Sequence, residues 1–143
     1  GFLLHDVGKG AIPDAILFKT SRLNDEEFAL MSRHPVIGYE ILRDIDFLGD
    51  AKDVVRHHHE RWDGEGYPDR LAGEEIPISA RVFAVADTLD ALTTDRPYRP
   101  ASDFDTARRV IASVAGEQFD PGVVDAFEQG PVEGFTALRE ELG

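Results

Sequence analysis

The sequence predicts an all-α fold, a bundle of about six to eight helices. Apolar residues recur at helical spacing along most of the chain, and helix-starting residues and prolines divide that pattern into segments. Alternation with a period of two never extends beyond a few residues, which argues against a sheet. The length of 143 residues fits one domain spanning 1–143, without repeats or an internal linker.

The first half of the chain contains three helix signals. Gly1 to His5 is already apolar, without a methionine start or an N-cap residue, so we expect the interior of a helix that begins upstream in a longer protein. Asn24, followed by three acidic residues, predicts a capped helix start. Pro35 breaks the next helical pattern and places His34 at a helix junction.

The second half predicts four more helices. Residues 51–60 form a helical segment that runs into a Gly- and Pro-rich loop at 61–78. Ser79 is expected to cap an apolar helix over 80–92. Two amphipathic helices are predicted over 105–114 and 122–128.

Composition limits the functions to consider. A net charge of −13 argues against binding a DNA or RNA polymer, because that affinity depends on many Lys or Arg contacts to phosphates. The absence of cysteine restricts any metal site to nitrogen and oxygen ligands and fits a cytoplasmic protein. No apolar run approaches the ~18 residues of a spanning helix, so we expect no membrane contact from this segment.

A first group of chemically active residues is His5, Asp6 and Lys9. On a helix they would share one face, which could bind a metal and hold a phosphate. Gly8 allows a backbone or a ligand to approach closely, and Lys9 supplies a point charge. Taken alone, a His-Asp pair near an apolar stretch is more often a hydrogen-bonded histidine in the core.

A second group is the run His57, His58 and His59. Successive residues on a helix point about 100° apart, so two adjacent imidazoles could serve two neighbouring ions. The spacing to Gly-Tyr-Pro favours His58 and His59, with His57 outside the set. The run could also be a surface feature, and His34 taken alone fits a core residue.

Asp87 lies among apolar residues, where an unpaired carboxylate would be costly, so it requires a cation. That cation is either a metal or an arginine such as Arg81. Asp90, one turn further on, could orient a lysine or a ligand histidine. Arg96 and Arg99 could make forked contacts to phosphate, or they belong to a solvated loop.

Together and in order, these motifs resemble the HD-GYP subfamily of the HD-domain phosphohydrolases. The motifs are His5-Asp6-x-Gly-Lys9, His34-Pro35, His58-His59-Glu60-x-x-Asp63-Gly-x-Gly66-Tyr67-Pro68, Arg81 through Asp87, Asp90 and Arg99, and Gln118-Phe119-Asp120-Pro121. The resemblance implies an HD-type helical bundle that lacks its first helix or helices. It also implies a bacterial signalling enzyme that hydrolyses cyclic di-GMP to linear pGpG, with GMP as a further product.

The resemblance also implies residue roles. The metal ligands would be His5, Asp6, His34, His58, His59 and Asp87, with Asp6 bridging two divalent ions and Asp90 behind them. Iron or manganese is expected first, with zinc, nickel or magnesium as alternatives, and a third ion would need upstream ligands. Lys9 and Asp6 would act at the scissile phosphate. Substrate contacts would come from Lys9, Gly66, Tyr67, Pro68, Arg96 and Arg99.

The same resemblance implies a fused receiver or sensor domain, a GGDEF-type partner domain and a homodimer. Two other functions stay open. The chain could be a non-catalytic module that binds cyclic di-GMP or a partner, or a hydrolase of another nucleotide phosphate ester.

Overall fold

The structure, a computed structural model, describes residues 4–96 and 99–130. Its seven α-helices are α1 (Asp14–Leu17), α2 (Asp25–Met31), α3 (His34–Leu42), α4 (Ala51–His57), α5 (Ile78–Thr93), α6 (Phe104–Ser113) and α7 (Pro121–Gln129). Three short 3-10 helices span Val7–Ala11, Asp46–Leu48 and Gly73–Glu75. Within the described ranges no β-strand forms, and β-type pairing is limited to two isolated bridges. The all-α prediction is therefore confirmed.

The helices pack in two groups that share α5. In the first group, α3 packs against the Val7–Ala11 turn and α4, and α4 packs against α5. In the second group, α6 and α7 pack against α5 and against each other. A core cluster fills this second half: Val85, Ile111, Phe119, Val124 and Phe127. None of the described helices is long and apolar enough to cross a membrane.

Two sequence signals in the first half are confirmed. The Asn24 side chain accepts the backbone N–H of Glu27 at 2.8 Å, and the Glu27 carboxylate accepts the N–H of Asn24 at 2.9 Å. This reciprocal capping box starts α2 where the sequence predicted. His34 is the first residue of α3, with Pro35 in the first turn. The predicted junction thus sets the direction of the His34 side chain.

Two predicted helix boundaries are wrong. The fourth helix ends at His57 rather than at residue 60, because the His58 side chain points back to the Val54 and Val55 carbonyls. The His59 carbonyl instead accepts the N–H of Tyr67 at 3.2 Å. The fifth helix starts directly after Pro77, so Ser79 is inside its first turn and does not cap it.

The first motif does not lie on an α-helix as expected. Leu4 to Asp6 form a turn, and Val7–Ala11 is a 3-10 helix whose bonds link residues three apart, such as the Lys9 N–H to the Asp6 carbonyl at 2.9 Å. Two glycines in five residues disfavour a regular α-helix. The expected helix upstream of His5 falls largely on residues 1–3, outside the described part of the chain.

Candidate metal centre

Four segments bring the six predicted ligands together. The turn before the first 3-10 helix carries His5 and Asp6, and the start of α3 carries His34. The chain just after α4 carries His58 and His59, and the middle of α5 carries Asp87. The candidate ligand atoms of His34, His58 and His59 all lie within 4.8 Å of one another. The three histidines therefore form a cluster in the first half of the bundle.

His34 and His58 are oriented by backbone carbonyls. The Nδ1 atom of His34 lies 2.8 Å from the Met31 carbonyl, and that of His58 lies 3.0 Å from the Val55 carbonyl. A carbonyl only accepts, so each Nδ1 carries the hydrogen and each neutral ring has a bare Nε2. These two Nε2 atoms face each other at 3.3 Å. Two bare acceptors at that distance are accommodated by a shared cation.

Asp6 presents its two oxygens to different partners. Oδ2 accepts from the Lys9 ammonium at 2.8 Å and lies 3.2 Å from His5 Nε2. Oδ1 is buried without a hydrogen-bond partner, 3.5 Å from His34 Nε2 and 4.0 Å from His58 Nε2. Those two nitrogens are acceptors, so they cannot donate a hydrogen bond to Oδ1. The three acceptor atoms border one shared position between them.

His5 and His59 complete the two sides of the cluster. His5 Nε2 lies 4.0 Å from Asp87 Oδ1, and its ring packs edge-on against His58 with centroids 5.2 Å apart. The His59 ring lies 4.2 Å from the His58 ring. One position is thus surrounded by three histidines and Asp6 Oδ1, and a second is bordered by His5, Asp87 and Asp6 Oδ2.

The electrostatic setting favours metal binding over protonation. Burial and the neighbouring His34 and His5 lower the pKa of His58 to about 4. Burial and the neighbouring histidines lower the pKa of His59 to about 3. Burial also lowers the pKa of His34. At neutral pH these rings are uncharged, and their lone pairs are available to a cation.

Burial works against the charge on Asp6, but hydrogen bonds from His5 and Lys9 outweigh it and hold the pKa of this carboxyl well below its usual range. The site therefore keeps an anionic oxygen among neutral imidazoles. Nitrogen and oxygen donors of this kind suit first-row divalent ions. The unpartnered Asp6 oxygen and the facing Nε2 atoms show that the residues present fit such an ion.

The sequence predicts a buried Asp87 that pairs with a metal or with Arg81, and the structure differs in both the exposure and the arginine. Its side chain is 43% exposed, so it lies at the edge of the cluster rather than among apolar side chains. Partial burial still raises its pKa, with His5 acting in the opposite direction. Arg81, the alternative partner, instead pairs with Asp120 at 2.6 Å. Asp90 is exposed on α5 and accepts from the Thr94 hydroxyl at 3.4 Å.

The Gly-Tyr-Pro loop folds back onto His59. A Cβ on Gly66 would lie 2.6 Å from the His59 carbonyl oxygen and 2.4 Å from the Arg61 nitrogen, so only glycine fits. The Tyr67 ring stacks on the His59 ring with centroids 4.7 Å apart and an angle of 22°. Burial raises the pKa of Tyr67 to about 12. Pro68 follows on the same loop.

Arg96 and Arg99 lie beyond the end of α5. Their backbones pair with each other, the Arg96 N–H donating to the Arg99 carbonyl at 2.9 Å. The Arg99 guanidinium donates to the Ala91 carbonyl at the end of α5. Burial raises the pKa of Asp87 overall, and the positive charge of Arg96 partly opposes that rise. Arg96 is thus electrostatically linked to the cluster.

Sequence reasoning missed several residues that shape the site. Glu60 is buried, and its carboxylate accepts the backbone N–H groups of Asp69 at 2.7 Å and Leu71 at 3.1 Å. Arg56 and His57 both contact the Asp69 carboxylate. Glu60 lies inside the histidine motif and could have been noticed there. No sequence signal indicates the pairing of Arg56 with Asp69.

Several known proteins are similar to this chain. The profile of the family described as HD domain matches residues 2–123. A cyclic di-GMP phosphodiesterase of Vibrio cholerae is 48% identical over 87% of this chain and 27% of its own length. The cyclic di-GMP phosphodiesterase response regulator RpfG of Xanthomonas campestris is 47% identical over 89% of this chain and 34% of its own.

Two further similarities concern a different cyclic dinucleotide. The 3'3'-cGAMP-specific phosphodiesterase 2 of V. cholerae is 42% identical over 97% of this chain and 27% of its own length. The crystal structure of a cyclic GMP-AMP-specific phosphodiesterase of V. cholerae has a TM-score of 0.66 at 21% identity, over 90% of this chain and 36% of that one. This likeness confirms the HD-type bundle. The chain spans about a quarter to a third of the length of the three sequence relatives.

Proposed function

Because this chain belongs to the HD domain family, and to its HD-GYP subfamily, we propose that the histidine and aspartate cluster is the centre of a metal-dependent phosphodiesterase that hydrolyses cyclic di-GMP. One observation carries the proposal: the bare Nε2 atoms of His34 and His58 and the unpartnered Oδ1 of Asp6 converge on one position. Such a position calls for a cation.

The residues that would hold metal are His5, Asp6, His34, His58, His59 and Asp87. The split of the Asp6 oxygens between two groups of neighbours supports a bridging role between two ions. Bound divalent ions supply Lewis acidity toward phosphate oxygens and activate water for attack on phosphorus. Iron or manganese is proposed first, with zinc, nickel or magnesium as alternatives. A third ion would require further ligands.

The chain's own residues would orient the substrate. Lys9 keeps Asp6 ionised through its bond to Oδ2, and its ammonium adds positive charge where phosphate would bind. We propose that Gly66, Tyr67 and Pro68 border the bound dinucleotide. Arg96 and Arg99 would contact its phosphates, and Asp90 would orient Lys9 or a ligand histidine.

The proposal extends to the biological setting. The product would be linear pGpG, with GMP as a further product. Since the relatives are much longer than this chain, we propose additional domains in the whole protein, such as a receiver or sensor domain. A GGDEF-type partner domain, a homodimer and a cytoplasmic location remain part of the proposal.

A second candidate substrate is another cyclic dinucleotide, 3'3'-cGAMP. It is favoured by the 42% identity to a cGAMP-specific phosphodiesterase over nearly the whole chain. The two substrates share the phosphodiester chemistry and differ in one base. The metal centre would serve either, so residues outside the cluster would determine the choice.

The test combines metal analysis with product analysis. Protein purified anaerobically is expected to contain about two divalent ions per chain. It is also expected to convert cyclic di-GMP to pGpG. Chromatography of the digest measures this conversion, and a parallel digest of 3'3'-cGAMP compares the two substrates. Asp6→Asn is expected to lose metal and at least about a hundredfold in turnover. Asp44→Asn, an exposed carboxylate elsewhere, is the matched control and is expected to change neither.

Three results would contradict the proposal. If Asp6→Asn keeps both metal and turnover, the cluster is not the centre. If metal-loaded protein binds cyclic di-GMP without cleaving it, the chain is a non-catalytic module. If it cleaves only 3'3'-cGAMP or another phosphate ester, the substrate is assigned wrongly while the reaction class stands.

A further inference from the structure

Behind the Gly-Tyr-Pro loop lies a polar cluster that the proposed reaction does not use. Arg56, near the end of α4, donates two parallel hydrogen bonds to Asp69 at 2.8 and 2.9 Å. His57 Nε2 lies 3.1 Å from the same carboxylate. The Arg56 guanidinium also lies over the Tyr39 ring of α3, 5.2 Å from its centroid. Asp69 is therefore fixed to α4, and Arg56 in turn contacts α3.

Asp69 is held through its backbone as well. Its N–H donates to the buried Glu60 carboxylate at 2.7 Å, and the other Glu60 oxygen accepts the N–H of Leu71. The chain between Glu60 and Asp69 is a closed loop whose ends meet at one carboxylate. Tyr67 is two residues before Asp69, so the direction of its ring depends on this closure.

The opposite side of the loop contacts the metal cluster. Tyr67 stacks nearly parallel on His59, and its N–H donates to the His59 carbonyl at 3.2 Å. Within the described part of the chain, no backbone carbonyl orients the His59 ring in the way that the Met31 and Val55 carbonyls orient those of His34 and His58. The Tyr67 ring lies nearly flat against the His59 imidazole. A change in the loop is therefore expected to move the His59 ring more than the rings of His34 and His58.

We propose that Asp69 is a positioning residue for the ligand His59, acting through Tyr67 and held in place by Arg56 and His57. The inference rests on the proposed metal centre for its functional meaning. A forked Arg–carboxylate pair supplies the geometric rigidity this role needs, because it fixes both distance and angle. Support of a ligand ring from behind typically changes metal affinity or activity by tenfold or more.

The first measurement uses the metal-free protein. In NMR spectra, the ring protons of His59 are shifted by the aromatic current of the stacked Tyr67 ring. Asp69→Ala and Arg56→Ala are expected to reduce this shift, whereas Arg56→Lys, which keeps the charge and one bond, is expected to retain most of it. Because no metal or substrate is present, this readout is independent of the proposed function.

The second measurement is metal affinity, by competitive titration with cobalt(II). Asp69→Ala is expected to weaken metal binding about tenfold and to lower kcat at saturating substrate and saturating metal. The double variant Arg56→Ala with Asp69→Ala is expected to equal the single variants, because the pair acts as one unit. Asp103→Ala is the control, since it removes the cap of α6 without touching the loop.

Two outcomes would overturn the inference. One is an Asp69→Ala protein with an unchanged His59 shift and unchanged cobalt affinity. The other is an equal loss in Asp103→Ala, which would mean general destabilisation. If Asp69→Ala does not fold, Arg56→Lys and Asp69→Asn test the same contact. A wild-type protein that takes up no metal would refute the proposed function, while the NMR comparison would still decide whether Asp69 positions the ring.

Discussion

Gly8 offers a sharp test of how the first motif meets α3. A Cβ built on Gly8 would lie 1.9 Å from the His34 carbonyl oxygen and 2.6 Å from the Gly38 nitrogen, and both are backbone atoms. An ordinary contact begins near 3.4 Å, so Gly8→Ala requires the two segments to separate by about 1.5 Å in a close-packed interior. We expect a destabilisation of about 3 kcal/mol, the upper part of the range for overpacking.

The assay compares Gly8→Ala with Gly10→Ala in the same 3-10 helix. A Cβ on Gly10 meets nothing within 4 Å, so that variant is expected to stay within about 0.5 kcal/mol of the wild type. For Gly8→Ala we expect Tm to fall by roughly 10 °C. Because the displaced carbonyl belongs to His34, metal affinity should fall by at least about tenfold. Equal melting temperatures and equal metal affinity for the two variants would refute the reasoning.

Two further predictions concern stability. Asp120→Asn keeps the oxygen that caps α7 but leaves the largely buried Arg81 without its charge partner. We expect a loss of about 3 kcal/mol in urea unfolding, against less than about 1 kcal/mol for Arg43→Ala at an exposed ion pair. In metal-free protein, the lowered pKa values of His58 and His59 mean that the unfolded state binds protons first. The stability that these two histidines contribute should therefore be fully present above pH 6.5 and decrease as the pH falls toward about 4. A free energy of unfolding that does not change over that range would contradict the burial of these rings.

Local sequence signals predicted the parts of the fold that depend on near neighbours. The capping box of Asn24 and Glu27 and the junction at Pro35 are made by residues within four positions of each other, so their chemistry is visible in the sequence. The convergence of six side chains from four segments was implied only by the family resemblance. Spacing alone left each histidine open to a structural interpretation.

The sequence could not reveal features that depend on distant partners. Helix α4 ends before His58, where the His58 side chain bonds the Val55 carbonyl and the returning loop bonds the His59 carbonyl through the Tyr67 N–H; the loop contact is a tertiary effect. Asp87 was expected to be buried because its neighbours are apolar, yet its own side chain lies at the edge of the cluster. Arg81 pairs with Asp120, which lies 39 positions away in the sequence, and local spacing carries no information on such a pair.

The arrangement of acceptors in the cluster links the fold to its chemistry. Burying bare acceptors against each other is unfavourable, and folded proteins rarely leave such groups without a partner. Here His34 and His58 are each fixed from behind by a backbone carbonyl, and Asp6 is fixed by Lys9. These supports prevent the rings and the carboxylate from turning toward other donors. The same bonds that specify the local structure therefore hold three acceptor atoms on one position, and a cation there would satisfy all of them at once.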